Sequence, residues 1–177
     1  MTEIATLAGG CFWCLEAIFK RLRGVHHVQS GYIGGHISQP QYKQVCEGNT
    51  GHAEAVEIEF DPSIISYSDL LQVFFAIHNP TTINRQGNDI GPQYRSAIFF
   101  HNDSQHLQAK TAIADASNEW GQAIVTELNA ASTFWPAELE HADYYNLHPN
   151  QPYCMAVVGP KVQKFMQHFN HLLKPQT

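Results

Sequence analysis

Ile4-Ala5-Thr6-Leu7-Ala8-Gly9-Gly10-Cys11-Phe12-Trp13-Cys14-Leu15-Glu16-Ala17-Ile18-Phe19-Lys20-Arg21-Leu22 is the stretch whose reading decides the fold. Ile4 to Ala8 read as a short strand running into two glycines. From Cys11 the period changes. Cys11, Cys14, Leu15, Ile18, Phe19 and Leu22 recur at helical spacing and predict a helix over Cys11–Leu22. A strand that turns through Gly9-Gly10 directly into a helix places Cys11 at the helix N-terminus. Unpaired N–H groups and partial positive charge there favour a thiolate, the form in which cysteine attacks. The glycines allow a tight turn and leave the backbone slim beside a substrate. Cys14 follows one helical turn later, within bridging distance of Cys11 if the two Cβ vectors cooperate.

Outward from this unit, strands and helices alternate. Val25–Ile33 reads as a second strand, and Ala53–Phe60 is the clearest strand, ended by Asp61-Pro62. Ser66–His78 reads as a helix opened by a capping-box pair, Ser66 and Asp69. Ser96–Phe100 is a short strand before a weakly amphipathic helix towards Trp120. Ala123–Leu128 resembles another strand, and Pro160–Leu173 a closing helix with Pro160 in its first turn. Gly31–His52 and Asn79–Arg95 fit neither period and are rich in Gly, Pro, Asn and Gln. Loops beyond about 12–15 residues in a compact domain are functional or disordered. Tyr32, Tyr42 and Tyr94 argue against disorder, so both loops are expected to wrap an active site. The expected fold is α+β, one catalytic domain over 1–177: a two-layer arrangement of a mixed sheet with packed helices, a ferredoxin-like core and long active-site loops.

Composition narrows the function classes. With 44% apolar and 15% charged residues the chain is too apolar for disorder. A net charge of -6 leaves no basic stripe for nucleic acid. No apolar run approaches the ~20 residues that cross a bilayer. Glu3 stands where a secretory signal carries basic residues, so the expected compartment is the cytoplasm; a monomer is expected. In a reducing compartment Cys11, Cys14, Cys46 and Cys154 read as catalytic, metal-binding or simply buried rather than as structural bridges. A zinc site built from Cys11, Cys14, Cys46 and a histidine such as His52 is one alternative, though a structural site wants four ligands and this spacing matches no familiar pattern. Two inert buried thiols are another, and a general thiol-disulfide oxidoreductase a third. The eleven histidines are scattered and receive no role.

Two further residues sit out of phase. Along Ala53–Phe60, Val56, Ile58 and Phe60 share one face, Glu57 and Glu59 point away, and Glu54 falls with the apolar set. A carboxyl on a core-facing side is desolvated, which raises its pKa and suits it to act as a general acid. The competing reading leaves Glu54 at a strand end that is already solvated. Trp13 falls on the polar side of its helix, near Glu16 and Lys20, where with Phe12 it could form an apolar pocket for a small group.

Gly9-Gly10-Cys11-Phe12-Trp13-Cys14-Leu15-Glu16, Gly31-Tyr32-Ile33-Gly34-Gly35, Tyr42, Val45-Cys46-Glu47-Gly48-Asn49-Thr50-Gly51-His52-Ala53-Glu54, Asn84-Arg85-Gln86-Gly87-Asn88-Asp89 and Gln93-Tyr94-Arg95-Ser96 together resemble peptide methionine sulfoxide reductase, type A. The resemblance runs from about Leu7 to Tyr153 and carries its specific motifs in order. It implies that Cys11 attacks the sulfoxide sulfur and that Glu54 protonates its oxygen. Tyr42 and Tyr94 hydrogen-bond that oxygen, Phe12 and Trp13 hold the ε-methyl group, and Asp89 binds the substrate main chain. The implied reaction consumes the S epimer, leaves Cys11 as a sulfenic acid, closes a disulfide and is reset by thioredoxin, with no metal or organic cofactor. Cys14 is favoured as the resolving thiol on proximity. Cys154, near where some relatives begin a cysteine-bearing tail, is the alternative; Met155-Ala156-Val157-Val158 and a helix follow it and favour packing over movement. Cys46 is expected to be a buried structural thiol, and Pro92 to stiffen its loop.

Overall fold

A computed structural model describes residues 1–175; the last two residues of the expected domain lie outside them. The opening unit forms as read, with a sharper start. Strand β1 spans Glu3–Gly9 and helix α1 spans Phe12–Phe19, so Cys11 is the N-cap and not the first helical residue. Gly10 makes the turn with φ +95°, and a Cβ there would lie 2.9 Å from Gln86 Cγ. The expected extension to Leu22 is lost because the chain tightens after Phe19. Arg21 and Leu22 donate to carbonyls three residues back, and Leu22 bridges to Leu173.

Strand β2 covers Val25–Ile33, short helix α2 Tyr42–Cys46, and strand β3 Ala53–Phe60. Helix α3, Tyr67–Ile77, starts with the predicted capping box: Asp69 N–H donates to Ser66 Oγ at 2.9 Å. The long second loop carries a small hairpin, β4 Arg85–Gln86 and β5 Asp89–Ile90, then a single 3-10 turn at Pro92–Tyr94. Strand β6 is Ser96–Phe100, and helix α4 runs Asp103–Trp120 until Gly121 ends it in the left-handed region. Strand β7 is Glu127–Ala130, shifted from the expected Ala123–Leu128. The shift has a cause, since Val125 N–H is taken by Pro80 O and pairing with β6 begins only at Glu127. Strand β8, Trp135–Pro136, and helix α5, Tyr144–Leu147, carry no periodic signal in the sequence. A π-helical turn at Cys154–Val158 leads into helix α6, Gly159–His168, which ends before the expected Leu173 and is followed by a 3-10 turn.

The sheet order is β7-β6-β1-β3-β2-β8, antiparallel except for the parallel β6–β7 pair. Elements β1, α1, β2, β3, α3 and β6 form the split βαββαβ arrangement of a ferredoxin-like core, in the α+β class that the alternation predicts. The main core lies between one sheet face and the helices. Leu7, Val28, Val56, Ile58 and Phe60 meet Leu15, Ile18, Phe74 and Phe165, all buried. Glu54 belongs to this helix-covered face, opposite Tyr32 in the register. The other face is thin, with alanines of β1, β3 and β6 around Phe99 and under Phe134.

Gly31 is the point where this sheet accepts β8. A Cβ there would sit 2.5 Å from Phe134 Cζ and closer still to the Trp135 carbonyl oxygen. Gly31→Ala must push β8 outward and is expected to cost about 1–3 kcal/mol, a Tm lower by roughly 2–12 °C. Thermal unfolding followed by circular dichroism checks this; an unchanged Tm contradicts the packing described.

Candidate functional site

The site forms where the start of α1 meets the start of β3. Cys11, the N-cap, is extended at φ -61° and ψ 127°, with its carbonyl accepting the first turn's N–H bonds. The orphan N–H groups of this helix start face the site. Phe12 N–H donates to Glu54 Oε1 at 3.2 Å, and Trp13 N–H reaches the Cys11 sulfur. Glu54 is 1% exposed, so the core-facing reading of its strand phase holds. Its second oxygen, Oε2, is buried and has no hydrogen-bond partner.

Electrostatics follow from burial. Desolvation pushes the Glu54 carboxyl well above the usual carboxylate range, and the nearby Cys11 pushes it the same way; the Phe12 N–H is too weak an opponent. Both causes favour the protonated, neutral form of Glu54. Contrary to the thiolate expected from a helix start, burial raises the Cys11 thiol and its hydrogen bond to Cys14 adds to this, outweighing the Trp13 N–H and the Tyr153 hydroxyl, which pull the other way. The bond from Cys11 lowers Cys14, helped by the Lys161 ammonium against desolvation. The hydrogen bond between the two thiols thus spans one helical turn. Cys11 is 8% exposed and Cys14 2%.

Both loops close over this centre, as expected, and they are tied to each other. Arg95 donates to Gly51 O at 3.0 Å and to Pro92 O at 2.8 Å, and Gln93 donates to Cys46 O at 3.3 Å. Tyr42 and Tyr94 are half-buried, with desolvation first and the Glu54 field second keeping both phenols protonated. Phe12 is fully buried, its ring 5.7 Å from that of Tyr32 and 6.1 Å from that of Tyr42. Asp89 Oδ2 accepts the Tyr153 hydroxyl.

Two further expectations change. Trp13 does not face solvent: its indole stacks on Tyr144 at 3.8 Å and 7°, and neighbouring Glu16 is buried, because the chain around α5 covers the polar side of α1. Cys46 is exposed at the end of α2, its thiol hydrogen-bonded to Tyr42. Residue 46 lies on the last turn of a five-residue helix that buries only Val45, which is why the expected burial fails. Among the described residues, no cluster of metal-ligating side chains contains Cys11, Cys14, Cys46 or His52. His52 is instead held in its own loop, taking the Gly35 N–H at 3.0 Å and lying 2.7 Å from Ile37 O. Cys154 is buried at the head of the π-helical turn, although Met155 beside it is 62% exposed.

Sequence reasoning missed a whole wall of the site. Glu138 accepts the Tyr32 hydroxyl and the Tyr42 N–H, each at 2.9 Å, and so joins the first loop to β8. Desolvation would raise its carboxyl, but these bonds win and hold it below the usual range. Trp13 Nε1–H donates to His141 Nδ1 at 3.1 Å, and the His141 ring lies 4.4 Å from that of Tyr42. The only trace in the sequence is the aromatic density of Tyr144, Tyr145 and Tyr153.

A family model described as peptide methionine sulfoxide reductase matches residues 3–173. The chain belongs to the peptide methionine sulfoxide reductase family. Among curated members, the peptide methionine sulfoxide reductase MsrA of Saccharolobus solfataricus is 52% identical over 97% of both chains, and that of Erwinia tasmaniensis 54% over 99% of both. Of solved members, reduced Mxr1 from Saccharomyces cerevisiae superposes with a TM-score of 0.80 at 33% identity, covering 86% of this chain and 89% of its own. Methionine sulfoxide reductase A of Corynebacterium diphtheriae gives 0.77 at 34%, covering 85% and 76%. Family membership fits the site's chemistry: a carboxyl whose burial favours its neutral form lies beside a thiol, and the acid's free oxygen has nothing to bond within the protein.

Proposed function

We propose that this protein, as a single catalytic domain, reduces the S epimer of methionine sulfoxide, free or within proteins, to methionine. The observation that carries this reading is the unpartnered Oε2 of Glu54, buried beside Cys11 where its protonated form is favoured. A protonated carboxyl oxygen with no acceptor costs free energy unless a ligand supplies one. A sulfoxide oxygen is an acceptor with no proton of its own.

In the reaction, Cys11 attacks the sulfoxide sulfur as Glu54 passes its proton to the departing oxygen. A negative charge on Cys11 favours the protonated form of Glu54, and the thiol proton replaces the one that Glu54 gave up. The hydroxyl then passes from the substrate sulfur to the Cys11 sulfur as the bond between the two sulfurs breaks, so methionine leaves with its sulfur reduced and Cys11 carries the oxygen as sulfenic acid. Tyr42 and Tyr94 donate to that oxygen as charge grows on it. Phe12 and Trp13 enclose the ε-methyl group, and Asp89 holds the substrate backbone. Cys14 then attacks the Cys11 sulfur, water departs, and a disulfide closes. Thioredoxin reopens it by exchange. Mxr1, the yeast relative, has been solved in complex with Trx2, which supports that choice of reductant. Among the described residues no helix is long and apolar enough to cross a membrane, in keeping with work in the cytoplasm.

An assay of racemic methionine sulfoxide with a dithiol reductant, resolved by epimer, tests the reading. Loss of the S epimer alone, abolished by Cys11→Ser, is expected. Consumption of neither epimer by the wild type contradicts it.

A further inference from the structure

Beside the reaction centre lies a cleft of about 700 Å³, between the Gln86–Asp89 hairpin turn and helix α6. It adjoins the site, because its lining includes Tyr153, whose hydroxyl reaches Cys11, and Asp89, which accepts that hydroxyl. A single methionine sulfoxide side chain does not need this space. The cleft is apolar underneath, with Val157, Phe165 and Phe169, and Trp120 stands on its far side.

Its charge is unusual for this chain. Lys161 and Lys164 lie one turn apart on α6, and His168 follows on the next turn. The chain has only 10 Lys and Arg against 16 Asp and Glu. Neither lysine makes an ion pair among the described residues, whose salt bridges are Lys20–Asp143 and Arg95–Glu127. The single carboxylate in the cleft lining, Asp89, already accepts the Tyr153 hydroxyl. From Lys161 to His168 the helix rises about 10 Å, which an extended peptide covers in about three residues.

We infer that this cleft is a subsite for the polypeptide flanking the oxidised methionine, and that it selects segments with an Asp or Glu within about three to four residues of it. The inference rests on the reductase reading above. The acidic side chain pairs with Lys161 or Lys164 while the apolar parts of its neighbours cover Val157 and Phe169. Because the cleft leaves the reaction centre in one direction, only one flank of the sulfoxide gains.

The test compares kcat/KM at low salt for matched methionine-S-sulfoxide peptides bearing Glu, Gln or Lys three residues to either side. N-acetyl methionine-S-sulfoxide amide serves as the substrate without flanks. Glu on one flank is expected to exceed Gln by about three- to tenfold, the worth of one or two partly exposed charge pairs. Lys164→Glu should reverse the order in favour of the Lys peptide while leaving the capped amino acid unchanged. Equal rates for all peptides, or a preference that survives Lys164→Glu, overturn the inference. So does a Lys164→Glu effect confined to the KM for thioredoxin, which would assign the cleft to the reductant. Failure to reduce the capped amino acid would overturn the reductase reading instead.

Discussion

Glu54→Gln is expected to lower kcat/KM for methionine sulfoxide by about 10²- to 10⁴-fold, the range set by a well-placed general acid. Glutamine keeps the shape of the side chain and can still accept the Phe12 N–H, but it cannot deliver a proton to the substrate oxygen. Alkylation of Cys11 at neutral pH should change little, because glutamine, like the protonated form that burial favours in Glu54, carries no charge. The pH dependence has a definite sign. Burial raises the Glu54 pKa, and its acid form is the active one, so wild-type activity falls as pH rises through that raised value. The Glu54→Gln variant should lack that limb. Stability falls in the same direction. Unfolded, Glu54 loses its proton near ~4.3, and folded it keeps the proton longer. The wild type therefore loses stability, relative to Glu54→Gln, as pH rises from about 4.3 towards the folded value. A variant that is less active and more stable at neutral pH is the expected pair of results from stopped assays and thermal melts. Full activity in Glu54→Gln removes the acid from the mechanism.

Cys14→Ser is expected to release one methionine per enzyme and then stall with thioredoxin as reductant. Cys14 lies one turn from Cys11 with the thiols hydrogen-bonded, so sulfenic acid and resolving thiol need no search to meet. Replacing that encounter by a collision with an external thiol should cost on the order of 10²- to 10³-fold in steady-state turnover. Cys154 is a poor substitute because it is fully buried at the head of a packed helical turn, with its N–H tied to Gln151 Oε1 at 3.0 Å. Rapid-quench measurement of the first turnover beside the steady state checks both halves. Sustained turnover of Cys14→Ser, lost on adding Cys154→Ser, would hand resolution to Cys154.

What is legible in the sequence is local. The switch of period at Gly9-Gly10 locates Cys11 at a helix start, and the phase of Val56, Ile58 and Phe60 puts Glu54 on the helix-covered face. Both signals are set by neighbours a few residues apart. The two unpatterned loops announce themselves by length and by their tyrosines. The residues from Glu138 to Tyr153 cannot be read this way. Glu138 finds Tyr42 across 96 positions, and His141 finds Trp13 across 128, through bonds that no local period encodes. The same long-range packing explains the errors: it covers Trp13 and Glu16 from outside α1, and it moves β7 to where β6 offers pairing. The burial expected of Cys46 fails because α2 is too short to bury more than one side.

The central claim is that Cys11 takes its oxygen from the sulfoxide. A variant keeping Cys11 as its one cysteine, with serine at 14, 46 and 154, should be mixed without reductant with sulfoxide carrying oxygen-18, and its intact mass and peptides examined. One labelled oxygen on the Cys11 peptide, matched by one methionine released, is the predicted result. Methionine released while Cys11 stays unlabelled would contradict the account.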